Sequence, residues 1–100
     1  MRVGTPAPLA PDDVPARRLD TRIRRMDGSL VLAFGETVVQ LSESGALLYE
    51  HMDGRRTVGM LAAVLAETYE LSEQEALTDT GEFLGYLLEN SLAEVRTSGP

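Results

Sequence analysis

The chain has 100 residues, of which 43% are apolar, with no cysteine, one histidine and a formal net charge of −7. Its length suits one ordinary domain around one modest core. The lack of cysteine excludes disulfides, thiolate metal sites and thiol nucleophiles, and no stretch approaches the roughly 20 apolar residues that cross a bilayer.

The start, MRVGTPAPLAPDD, lacks the apolar centre of a signal peptide, so a cytoplasmic location without a membrane partner is expected. Four of the five prolines fall in residues 1–16, which show no apolar periodicity. They read as a disordered arm, and removing residues 1–14 is expected to leave folding and binding intact. The domain proper is expected over residues 17–96, with a disordered tail at 97–100. Charge is uneven, since residues 1–28 carry six arginines against four acids and residues 29–100 carry three against twelve. The folded part is therefore acidic.

Residues 21–26 form a first strand, closed by Asp27-Gly28, a pair favoured in two-residue hairpin turns. Residues 29–33 follow, then a turn around Gly35 and a third strand, Thr37–Leu41. A sheet this small needs a helical layer on one face. Ser42 caps a first helix over residues 43–52, with Leu47, Leu48 and Met52 inward, ended by Asp53-Gly54. Thr57 caps a second over Val58–Tyr69, in which Val58, Leu61, Ala62, Leu65 and Tyr69 share one face. Ser72 and Glu75 match the capping box of a third helix running to residue 90, with Ala76, Leu77, Thr80, Leu84, Leu87 and Leu88 as its inner stripe. Residues 92–95 are a last extended piece returning toward the sheet. The expected class is α+β, winged helix-turn-helix-like, with a three-stranded antiparallel sheet packed on three helices.

Catalysis needs a nucleophile, an acid/base pair or a metal held near its partners, and the chain is poor in all three. Glu50 adjoins His51, but helical neighbours point about 100° apart, so His51 reads as an ordinary residue. Glu75, Asp79 and Glu82 put three carboxylates on one face of the third helix. No EF-hand loop or Glu-x-x-His pair accompanies them, and a solvated face is the simpler reading. The expectation is a non-enzyme without cofactor or metal. A winged-helix outline makes DNA an obvious ligand, yet residues 73–91 hold five acids and no base, which phosphates would repel. No nucleic-acid partner is expected. Arg22, Arg24 and Arg25 read as a charged strand that discourages edge aggregation.

The third strand, by contrast, is uncharged and β-branched, and in a meander it lies at an edge. Its free backbone groups suit a peptide adding as a strand, unless another part of the chain covers them.

The run Val39-Gln40-Leu41-Ser42-Glu43-Ser44-Gly45-Ala46-Leu47-Leu48, followed by Met52-Asp53-Gly54-Arg55-Arg56-Thr57-Val58, resembles the PqqD-like pattern. Residues 61–69 and 83–92 continue the likeness, which spans about residues 20–95. The resemblance implies a recognition element for ribosomally synthesised, post-translationally modified peptides: a non-catalytic domain, or peptide chaperone, that holds a precursor's leader peptide. The leader adds to the third strand beside the third helix and is presented to a modifying enzyme such as a radical-SAM enzyme or a leader peptidase. Carried onto this chain, the implied peptide-binding site is Thr37, Val38, Val39, Gln40 and Leu41 with Asp79, Glu82, Phe83, Tyr86 and Leu87. Helical spacing independently places Asp79, Glu82, Phe83, Tyr86 and Asn90 on one flank, with Phe83 also suited to the core. Lasso-peptide recognition proteins of this family share a Gly-Ala-Leu like Gly45-Ala46-Leu47, but usually carry an aromatic pair where this chain has Val38 and Val39. The alternative reading is an acidic winged-helix protein that regulates transcription through protein contacts.

Overall fold

A computed structural model describes residues 9–27 and 29–96. In chain order it contains β1 (Val14–Arg17), β2 (Arg22–Met26), β3 (Ser29–Phe34), β4 (Thr37–Leu41), α1 (Glu43–His51), α2 (Val58–Tyr69), α3 (Glu73–Glu89) and β5 (Ala93–Arg96). The expected α+β class holds: β2, β3 and β4 form an antiparallel meander packed on three helices.

The alternation of side chains decides which face of the meander is covered. Leu30, Leu32, Val39 and Leu41 face the helices and are buried, while Val31, Ala33, Val38 and Gln40 belong to the outer face. Gly35, at φ 60°, opens the two-residue turn between Phe34 and Thr37, where a II′ hairpin puts its glycine. Of the expected Asp27-Gly28 turn, Asp27 takes φ 47° and Gly28 lies outside the described residues.

Each helix starts where its cap stands. Ser42 accepts the Gly45 N–H, Thr57 accepts the Met60 N–H, and Ser72 and Glu75 form both halves of the capping box at 3.1 Å. Glu70, at φ 56°, ends α2 in a left-handed cap. The helices converge on Leu48, Leu61, Leu65, Leu84 and Leu87, all with at most 2% of their surface exposed. Such burial is worth about 1.5–3 kcal/mol per side chain. Two inward assignments shift. Tyr49 rather than Leu47 fills the inner face of α1, and Tyr69 ends α2 beyond the core with 37% of its surface exposed.

The disordered arm expected over residues 1–16 needs correction where it is described. Val14–Arg17 is a strand antiparallel to β5, with Pro15 and Ala16 buried. Before it, the Asp13 and Pro11 carbonyls accept the Val58 and Gly59 N–H groups, both at 2.9 Å, satisfying free donors at the start of α2. Removing residues 1–14 therefore strips contacts from the domain. The final strand is corrected as well: β5 pairs with β1 in a separate two-stranded ribbon and does not join the meander. Nothing local announces this pairing, because the two strands are short, lie at opposite ends of the chain, and one contains a proline. Residues 1–8 of the expected arm and the expected tail at 97–100 lie outside the described residues. No helix among the described residues is long and apolar enough to cross a membrane.

Candidate functional site: an open strand edge beside an acidic aromatic helix flank

β4 has β3 as its neighbour on one side, and no other described strand pairs with its outer side. The two-residue turn fixes which backbone groups face outward. Phe34 and Thr37 close the hairpin as a hydrogen-bonded pair, so Leu32 with Val39 and Leu30 with Leu41 are the next such pairs along the ladder. The N–H and C=O groups of Val38 and Gln40 therefore point away from the sheet. Val38 is 67% exposed and Gln40 is exposed, its Nε2 donating to Ser29 Oγ at 3.1 Å. The edge thus presents four backbone groups without a partner among the described residues, in an uncharged stretch, the arrangement that strand addition uses.

At the C-terminal end of β4 a cavity of about 580 Å³ opens between the start of α1 and the flank of α3. Ser42, Ser44, Gly45 and Leu48 form one side. Leu65, Tyr69 and Leu71 close the end, and Asp79, Glu82, Phe83 and Tyr86 form the other wall. Gly45 allows a close approach here, since a Cβ at that position would stand 3.0 Å from Phe83 Cε1 and 3.5 Å from Leu41 Cβ. The close approach links β4, α1 and α3 at one point and leaves the Phe83 ring as wall, half-buried. Gly45→Val is expected to push that ring into the cavity, costing about 1–3 kcal/mol of stability by overpacking and narrowing the groove. Denaturant melts together with the Phe83 ring resonances check this outcome.

Of the residues anticipated as a site, Asp79, Glu82, Phe83 and Tyr86 come together on the cavity wall, and Tyr86 is 46% exposed. Val39 and Leu41 turn their side chains into the core and Thr37 is half-buried. Leu87, anticipated as part of the site, has no exposed surface and belongs to the core. Sequence reasoning missed Ser44, Gly45 and Tyr69 as lining. A glycine in the first turn of a helix was the available signal for close approach. Tyr69 followed the α2 stripe one turn past the end of the core.

The cavity's charge is one-sided. Glu75 turns back to accept the Ser72 N–H, but Asp79 and Glu82 take part in none of the ion pairs among the described residues, which are Arg18–Asp20, Arg25–Glu50 and Arg56–Asp53. No cluster of three or more acidic or histidine side chains among the described residues is placed to hold a metal ion.

The sequence matches the family model of coenzyme PQQ synthesis protein D (PqqD) over residues 29–93. Among solved structures, the PqqD truncation of Methylobacterium extorquens PqqCD, a functional and stand-alone RiPP recognition element, is 25% identical. It superposes with a TM-score of 0.76 over 91% of this chain and 99% of its own. Lasso peptide synthetase B1 complexed with the leader peptide shares the fold at 23% identity and a TM-score of 0.72, over 81% of this chain and 98% of its own. TbiB1 in complex with the TbiA(beta) leader peptide does so at 16% identity and a TM-score of 0.72, over 79% and 94%. No curated protein matches the sequence.

Proposed function

The chain belongs to the family of coenzyme PQQ synthesis protein D (PqqD), and on that footing we propose that it is a non-catalytic recognition domain for the leader peptide of a modified-peptide precursor. The leader adds as an antiparallel strand to β4 and is presented to a modifying enzyme of the radical-SAM or leader-peptidase kind. The observation that carries this reading is the free row of Val38 and Gln40 backbone groups running into a cavity walled by Phe83 and Tyr86. Two solved proteins of the same fold are complexes with leader peptides, which supports a leader peptide as the ligand. A domain of this size, with an open groove in place of a water-excluding pocket, suits capture better than chemistry. The transcription-regulator alternative is not favoured, since the family match is to PqqD and the solved structures of the same fold are a recognition element and leader-peptide complexes.

Amide-shift mapping by NMR with the cognate leader is the direct test. The expected shifts fall on Thr37–Leu41 and on the exposed flank of α3 around Tyr86. Shifts confined to β2 or to α2 would defeat the proposed site. Tyr86→Ala is expected to weaken the leader by about 1 kcal/mol or more, because it removes an aromatic wall without touching the ladder. Its melting temperature should stay near the parent's.

A further inference from the structure

Resting on the leader-binding reading above, we propose that the leader carries an arginine, or failing that a lysine, beside the bulky apolar residue that fills the cavity, at the N-terminal end of its strand-pairing segment. Direction follows from the sheet. A strand antiparallel to β4 starts opposite Leu41 and ends opposite Thr37, and the cavity opens at the Leu41 end, past Ser42. The residues that enter the cavity are therefore the first of the paired segment.

Their chemistry follows from a cavity lined by both apolar and acidic groups. Gly45, Leu48 and Phe83 give it an apolar surface suited to one large side chain. Asp79 and Glu82, three residues apart on α3, stand on the same flank as Phe83 and Tyr86. Neither carboxylate has an ion-pair partner among the described residues, and α3 holds no basic residue along its whole length. A leader lying over them displaces water from two uncompensated negative charges. A cationic side chain offsets that loss, whereas an acidic one adds repulsion. Guanidinium is favoured over ammonium because it also stacks on an aromatic face while its N–H fork meets a carboxylate.

The test uses a bead-displayed library of random dodecapeptides as probe, with the full chain and with the double variant Asp79→Asn, Glu82→Gln. Peptides bound by the parent are expected to be enriched in arginine and lysine within a few residues of an aromatic or large aliphatic side chain. The double variant should keep the apolar preference and lose the basic one. Exchanging the selected cation for glutamate should lower affinity for the parent about tenfold, and raising the salt concentration should shrink that difference. Peptides that shift the amides of β4 and α3 but show no charge preference would overturn the inference and leave the leader-binding reading standing. Peptides that bind elsewhere and spare β4 would overturn both.

Discussion

Val38→Pro is expected to leave the fold in place and weaken leader binding tenfold or more, while Val39→Pro, one residue on, unfolds the hairpin. The contrast comes from the ladder. The Val39 N–H faces β3 opposite Leu32, so proline there orphans a buried Leu32 carbonyl and displaces a side chain that is 5% exposed. Together these cost about 3 kcal/mol or more, a large share of the stability of a domain whose total is roughly 5–15 kcal/mol. The Val38 N–H faces outward, and proline is tolerated on an edge strand where the missing donor pointed to solvent. The substitution instead removes the β4 N–H that would donate to the incoming strand, and the ring obstructs that strand's approach. Circular dichroism and melting separate the two variants first, and fluorescence anisotropy with labelled leader then measures the binding loss. A Val38→Pro chain that melts like the parent and binds leader undiminished would show that the leader pairs elsewhere.

The same contrast marks what the sequence alone made legible. β4, α2 and the start of α3 are read to the residue because Gly35, Thr57 and the Ser72–Glu75 pair are local signals that the backbone obeys. The flank of α3 was equally legible from helical spacing, and it brings Asp79, Glu82, Phe83 and Tyr86 to one wall. Neighbouring residues were harder to apportion. Leu87 fits the inner stripe and adjoins the site, and only packing assigns it wholly to the core while Tyr86 beside it faces solvent. Which β4 amides are free requires the hairpin register, and that rests on a turn of two residues rather than three. The pairing of β1 with β5 had no local signal at all, since each strand is stabilised by residues from the far end of the chain.

That distant pairing sets the second large effect. A chain shortened to begin after Arg17 is expected to melt more than about 10 °C below the parent, whereas composition alone implied a neutral outcome for the shorter cut that removes residues 1–14. The shortened chain lacks the whole of β1, including buried Pro15 and Ala16, and β5 becomes unpaired. It also loses the carbonyls of Pro11 and Asp13 that hold the first amides of α2, and the Ala16 bridge to Asp53 at the end of α1. Above all it uncovers Tyr49. The Arg17 guanidinium lies 5.2 Å from the centroid of that ring, and the ring itself has no exposed surface. Burial is the largest influence on the phenol and holds it above its ordinary pKa against the lowering effects of the Arg17 charge and the Thr21 hydroxyl, and the ring is kept inside by packing. The combined loss of burial and hydrogen bonds amounts to about 3 kcal/mol or more, and each kcal/mol moves the melting point of a domain this size by roughly 4–8 °C. Spectrophotometric titration supplies a second readout that general loosening does not mimic while circular dichroism still shows a folded chain. One tyrosine should titrate at lower pH in the shortened chain than in the parent. A melting point within a few degrees of the parent's, with an unchanged tyrosine titration, would show that the β1–β5 ribbon adds little and that α1 keeps Tyr49 buried by itself.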